Sequence, residues 1–433
     1  MRLLARGVAA LALVTAAACS STAPAPVVHP RPPVSIAAST AAGLSTSDRT
    51  AAVDALLARR AAAVLRHDRA AFLSTVDPQA PPPFAHRQQA LVAALMTVPF
   101  ASYALAVDPT VTPAVDPMKL ATHSADDAWL PQTTLTYTLR GGDGTSSTLL
   151  ADYTFVRRGQ DWFIASDDDV RAGAPGTQRD LWDYGPVVAV RGSASLVLAH
   201  PGSEQKARAV AALADHAVRS VTAVWGRDWP RRVVVVIPGS MAELQDVVQD
   251  HDDLSQFAAL ESAELGRTPG RTELAQRIAV NPSVFFGQTT DQGRQVIMTH
   301  ETTHAASSRS TRAGMPTWLI EGLADYVGFR DVDVPLSRAA AALQARIRTS
   351  GAPQALPADK EFAGSSAHLE EAYEEAWLAC RLIAQVEGQA ALVRLYRAVG
   401  AGASVPDAFA SVLHTTVPAF TASWRAALLA ELA

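Results

Sequence analysis

Six residues, Thr299-His300-Glu301-Thr302-Thr303-His304, constrain this chain more than any other stretch. His300 and His304 are four positions apart, so on a helix both imidazoles stand on one face and reach a common point. Glu301 is rotated off that face. The run before it, Gly293 to Met298, is apolar enough to bury such a helix. Buried imidazoles and a carboxylate are costly unless compensated, and a bound metal ion is the natural compensation.

The next stretch supplies what the two histidines lack. Pro316 to Tyr326 opens with a helix-initiating proline and reads as a second amphipathic helix. Glu321 on it is suited to be a third, anionic ligand. Asp325, one turn on and on the same face, is placed to hold a ligand imidazole through its other ring nitrogen. Two histidines and one glutamate leave a fourth zinc position open, the pattern of catalytic rather than structural sites.

HExxH followed by a helix reading Glu-Gly-x-Ala-Asp-Tyr resembles the gluzincin zinc metallopeptidases, the thermolysin-like and aminopeptidase-like group. The resemblance implies one Zn2+ per chain on His300, His304 and Glu321, with Glu301 as general base, Asp325 in support and a peptide or protein substrate. Sixteen residues separate His304 from Glu321, a shorter connection than in the best-known members and closer to compact peptidase MA-like domains. In gluzincins an edge strand just upstream of the metal helix pairs with extended substrate. Ile278, Ala279, Val280 and Asn281, stopped by Pro282, occupy that place, where main-chain bonding would give sequence-tolerant affinity. An interior strand with no substrate role is the other reading. Gluzincins also bring a Tyr or His from the C-terminal lobe to the oxyanion; Tyr373 is the candidate here, and His368 stands near it. A packing role for Tyr373 is the alternative.

Arg2 and Arg6 precede an apolar run from Gly7 to Thr15, a secretory signal peptide too short to span a membrane. Ala16-Ala17-Ala18-Cys19 resembles a bacterial lipoprotein signal with Cys19 lipidated, although Ala16 stands where leucine is usual. Ordinary cleavage after Ala18 is the alternative. Either way the chain is secreted, and lipidation would hold it at the outer face of the cytoplasmic membrane. Residues 20–46, rich in Ser, Thr, Ala and Pro, cannot build a core and read as a disordered tether. Only three of 37 basic residues are lysine, the bias of an actinobacterial-type, GC-rich source.

The fold class reads as α+β. Residues 47–185 begin with helical periodicity over Asp48 to Arg66, His67 to Val76 and His86 to Met96. Strand-like runs follow at Phe100 to Val107, Leu130 to Leu139, Thr148 to Arg157 and Asp161 to Ala165, with a turn at Gly141 to Gly144. That order resembles the nuclear-transport-factor-two-like cone. His86 and His123 read as surface or loop residues, and Asp167-Asp168-Asp169 as a solvated acidic turn. Residues 186–433 form the gluzincin-like part, with a mixed-sheet lobe and then a mainly helical C-terminal lobe. His216 reads as a core histidine, and Cys380 as a small buried hydrophobe. The formal charge of −5 and the absence of a basic patch point away from nucleic acid. A binding lipoprotein that uses this scaffold without catalysis is the reading from a different class. An intact Glu301 separates the two, because a retired site has no chemical need of it.

Overall fold

The computed structural model describes residues 44–111, 113–142, 146–174, 176–248, 254–255, 257–263 and 276–433. The signal segment with Cys19, the tether up to residue 43, and turn residues Asp143 and Gly144 lie outside the described residues. Helix and sheet are mixed, in keeping with an α+β class.

Helices α1 (Thr46–Leu65), α2 (Arg69–Leu73) and α3 (Pro82–Leu95) come first. Ser45 caps α1 by accepting the Asp48 N–H, and Val53, Leu56, Leu57 and Val64 form its buried stripe. Then follow β1 (Phe100–Asp108), α4 (Pro117–Ala121), β2 (Asp127–Trp129), β3 (Gln132–Leu139), β4 (Ser147–Ala151), β5 (Thr154–Arg158) and β6 (Asp161–Ser166). They make two three-stranded antiparallel sheets, β1-β3-β4 and β2-β5-β6. The run expected as one strand over Thr148 to Arg157 is therefore two strands in two sheets. At Asp152 the backbone N–H leaves the ladder for Thr177 Oγ1, and the chain crosses from one sheet to the other.

Two more expectations for this region are corrected. His123 is buried, with Nε2 2.5 Å from Asp169 Oδ2. Asp167 and Asp169 are buried as well: Arg87 and Arg179 pair with Asp167, and the Thr154 and Ser166 hydroxyls donate to Asp169. Partners that are mostly brought in from elsewhere in the chain satisfy these carboxylates, which makes Asp167 and Asp169 core anchors rather than a solvated turn.

Strands β7 (Val188–Arg191) and β8 (Ser195–Ala199) form a hairpin. Next come α5 (Glu204–Trp225), β9 (Val233–Ile237), α6 (Met241–Val248), β10 (Ala259–Ala263) and β11 (Gln276–Val280). The five strands run in the order β10-β11-β9-β8-β7, with β8, β9 and β11 parallel and the outer strands antiparallel. Both faces of this sheet are covered, so β9 is a continuous Val-Val-Val-Val-Ile run, buried throughout. Alternate residues serve two cores. Val233, Val235 and Ile237 join Val197, Ile278 and Val280 under the helices, whereas Val234 and Val236 join Leu196, Leu198 and Ala279 against the N-terminal sheets. Contact on that second face is close at Gly142, where a Cβ would lie 2.7 Å from Val234 and 2.9 Å from Leu196.

The rest is helical: α7 (Pro282–Gly287), α8 (Asp291–Ser307), α9 (Thr317–Arg330), α10 (Leu336–Ala339), α11 (Ala341–Ser350), α12 (Leu369–Val386), α13 (Gln389–Gly400), α14 (Val405–Val412) and α15 (Val417–Leu432). Between α10 and α11 the helix breaks at Ala340, whose φ of −127° and ψ of 43° are not helical. Among the described residues no helix is long and apolar enough to cross a membrane.

Candidate metal centre

Helix α8 starts at the Thr290 cap, whose hydroxyl oxygen accepts the Gly293 N–H, and is buried without interruption from Val296 to Ser307. A helix buried all round must satisfy every polar side chain internally. It lies against α9 in antiparallel register. His304 faces Glu321, His300 faces Glu321 and Asp325, and Val296 meets Gly328.

The side chains of His300, His304 and Glu321 converge. Their ligand atoms all lie within 4.8 Å of one another. Glu321 Oε2 is 3.3 Å from His300 Nε2 and 3.4 Å from His304 Nε2, and the two Nε2 atoms are 2.8 Å apart. Asp325 Oδ1 lies 2.7 Å from His300 Nδ1. A proton on Nδ1 donates to that carboxylate and leaves the Nε2 lone pair facing the shared point. Two imidazole nitrogens and one carboxylate oxygen, all buried, form a donor set that fits zinc with a position to spare. The residues present therefore fit the metal that the spacing implies.

The electrostatics agree. Burial would raise Glu321, but His304 and His300 hold it well below the usual carboxylate range. Burial would lower His300, yet the charge and hydrogen bond of Asp325 carry it up to about 10. The cluster thus recruits positive charge into its centre, and a divalent cation displaces such a proton on binding. Asp325 is itself raised by burial, with His300 opposing.

Glu301 stands beside this set, 2 % exposed. Its carboxylate accepts the Glu261 backbone N–H, while its Oε2 has no hydrogen-bond partner among the described residues. Burial pushes it up to about 8; His300 opposes the rise and Glu321 adds to it. A carboxylate raised in this way holds a proton more readily than a free one, as a group that carries a proton between two atoms must.

Tyr373 is brought to the same place by α12, which packs on α9. The approach depends on Gly322, where a Cβ would lie 2.4 Å from the Ala376 carbonyl oxygen and 2.8 Å from Cys380 Sγ. Burial, with Glu321, Asp325 and Glu301 nearby, pushes the Tyr373 hydroxyl well above its usual value, so it stays protonated and able to donate. Its ring also packs edge-on against Phe362. His368, by contrast, is exposed and paired with Glu371. Cys380 is buried and its thiol is raised by burial.

The expected substrate strand is corrected. Ile278, Ala279 and Val280 lie in β11, an interior strand paired with β9 on one side and β10 on the other, so its hydrogen-bonding edges are occupied. Asn281 is also committed: its side chain caps α7 by accepting the Ser283 N–H, and its own N–H donates to Ala258. Among the described residues β10 is the edge strand on this side of the sheet, and it touches α8. It brings a residue that sequence reasoning missed. Glu261 is partly buried, and its Oε1 has no hydrogen-bond partner among the described residues. Burial lifts it to about 7, with the His304 charge opposing and the Glu301 charge adding. The run from Phe257 to Ser262 holds no β-branched residue, so little in the sequence marks it as a strand.

No family model matches the chain, and no curated protein does. Among solved structures it is similar to a mutant M1 zinc metallopeptidase from Deinococcus radiodurans bound to a Tyr-Ser-Ala substrate. The TM-score is 0.33 at 14% identity, over 75% of this chain and 69% of that one. A structure of the mutant enzyme from the same organism gives 0.31 at 15% identity, over 75% and 70%. A two-domain M1 zinc metallopeptidase mutant bound to L-tryptophan gives 0.32 at 14% identity, over 75% and 69%. Similarity this distant leaves the functional reading to the geometry of the site.

Proposed function

We propose that this chain is a zinc-dependent peptidase of gluzincin type. One observation carries the reading: His300, His304 and Glu321 converge in a buried cluster with Asp325 behind His300 and Glu301 beside it. Zinc in such a set supplies Lewis acidity, polarising a carbonyl and acidifying water.

The chain's own residues do the rest. Glu301 takes a proton from the attacking water as its oxygen bonds to the carbonyl carbon. It then gives that proton to the departing nitrogen as the C–N bond breaks. Tyr373, protonated, donates to the oxygen on which negative charge develops. Strand β10, at the edge of the sheet among the described residues, offers its main chain to an extended peptide, and Glu261 on it offers a carboxylate to a cationic group of the substrate, such as a free N-terminal amine.

The division into an accessory part (residues 47–185) and a catalytic part (residues 186–433) belongs to the same proposal. So do secretion by the N-terminal signal and lipid anchoring through Cys19 at the outer face of the cytoplasmic membrane, with residues 20–46 as the tether. Nucleic acid has no place in it.

Metal removal tests the reading. Dialysis against a strong chelator should abolish peptide hydrolysis, and one equivalent of zinc should restore it. Hydrolysis that survives complete zinc removal would sink the proposal.

A further inference from the structure

Behind the metal centre lies a cavity of about 700 Å³, counted out to its open mouth. Among the described residues, none of His300, His304, Glu321, Glu301 or Glu261 lines it, so it is a space apart from the candidate site. One turn beyond His300 on α8 is Val296, and one turn beyond Asp325 on α9 is Phe329. With Val334, Ala339 and Trp377 they give the cavity an apolar wall. Phe329 and Trp377 stack there, centroids 4.4 Å apart and planes tilted by 30°. Asp325, whose Oδ1 holds His300, is in the same lining.

The mouth carries both signs of charge. Arg338 on α10 and Glu370 on α12 line the cavity and are exposed, and neither side chain has an ion pair or hydrogen bond among the described residues. Thr290 and Gly293 bring the positive end of α8 to the same lining. Glu374, also in the lining, is already committed, because its carboxylate accepts the Ala342 and Leu343 N–H groups. A free guanidinium and a free carboxylate beside an apolar wall are the complement of a zwitterion with a large apolar side chain.

We infer that this cavity is an effector site for a free amino acid with a large apolar side chain. Its carboxylate meets Arg338, its ammonium meets Glu370, and its side chain lies on Phe329 and Trp377. Hydrolysis of a peptide releases such amino acids, so the regulatory sense of the site rests on the peptidase reading, whereas its binding chemistry does not. The occupant acts through Asp325. It keeps water from that carboxylate, which strengthens the 2.7 Å contact with His300 Nδ1 and so the hold of His300 on a metal ion. By linkage the amino acid binds tighter to the metal-loaded protein by the same factor.

Calorimetry on the zinc-loaded full chain, with saturating acetohydroxamate covering the metal, reads this site apart from the catalytic centre. L-Phenylalanine and L-leucine should bind. N-acetyl-phenylalanine, which lacks the ammonium, and phenethylamine, which lacks the carboxylate, should each bind about tenfold or more weakly, as should L-alanine and L-glutamate. Arg338→Ala and Glu370→Gln should each weaken phenylalanine about tenfold. Val334→Trp, which fills the cavity from the loop between α9 and α10, should abolish binding. Saturating phenylalanine should raise zinc affinity, read by competition with a chromophoric chelator, about fivefold in wild type and not in Val334→Trp. Should the tryptophan variant not fold, the two exposed positions decide. Absence of binding overturns the site, as does binding that survives unchanged in both Arg338→Ala and Glu370→Gln or that vanishes once acetohydroxamate covers the metal. Binding with no change in zinc affinity overturns the effector role. A chain that binds phenylalanine in this pattern yet cleaves no peptide upholds the site and defeats the peptidase reading.

Discussion

Replacing Asp325 with asparagine isolates the contact that orients the first ligand. Asp325 Oδ1 is 2.7 Å from His300 Nδ1, and both side chains are almost fully buried. Asparagine keeps the shape and an oxygen acceptor but removes the charge. A hydrogen bond to a charged group contributes about 1.5–3 kcal/mol and a neutral one about 0.5–1.5 kcal/mol. The difference of about 1–1.5 kcal/mol corresponds to roughly tenfold in zinc affinity, the lower end of what such supporting contacts contribute. Without the Asp325 charge the rise in His300 is smaller, while the Glu321 contact and the Glu301 charge still favour the charged imidazole, so any charge it keeps retains a partner. The metal-free protein should therefore unfold at nearly the wild-type urea concentration. Competition with a chromophoric chelator measures the affinity, and urea denaturation of the metal-free proteins provides the control. Zinc affinity within twofold of wild type would refute the reasoning, as would a loss fully accounted for by unfolding.

Other outcomes follow from the same packing and charges. In Gly322→Ala the new methyl would sit 2.4 Å from the Ala376 carbonyl oxygen, so α12 must retreat from α9. Overpacking of this kind costs about 1–3 kcal/mol in urea denaturation, and turnover should fall more than zinc affinity because Tyr373 rides on α12; wild-type stability would contradict this. Asp183 is pushed up to about 6 by burial, with Arg179 opposing. Its folded pKa lies above the unfolded value near 3.8, so the fold disfavours the ionised form, and stability falls as pH rises from about 4 to about 6. The full effect is about 3 kcal/mol. Asp183→Asn should flatten that fall in urea denaturation across the window; parallel curves for the two proteins would show that Asp183 does not contribute it.

What the sequence makes legible here is what local periodicity controls. The spacing of His300 and His304, and of Glu321 and Asp325, is a property of single helices. Each pair needed only one helix to form for its side chains to share a face. The facing of α8 and α9 then brought the two pairs together, because both helices are too apolar to be left exposed. Sheet order is different. Whether Ile278 to Val280 forms an edge depends on β10, whose Ala-Leu-Glu-Ser-Ala run carries little strand signal and is held mainly by pairing with β11. Missing β10 meant assigning the edge to the wrong strand and overlooking Glu261. The burial of Asp167, Asp169 and His123 was hidden for a related reason. Arg87, Arg179 and Thr154, which satisfy them, are brought near by the tertiary fold, and a run of three aspartates read alone looks solvated.

The most direct measurement is hydrolysis of a peptide library by the zinc-loaded chain from Ser20 to Ala433, beside Glu301→Gln with the same zinc content. Each peptide is supplied with a free and with an acetylated N-terminus. The expected result is cleavage by the wild-type chain alone, with equal zinc in both proteins and with acetylation slowing the cuts if Glu261 grips an amine. Equal cleavage by both proteins would contradict the general-base role of Glu301. No cleavage by folded protein carrying one zinc would contradict the peptidase reading and leave a zinc-binding lipoprotein.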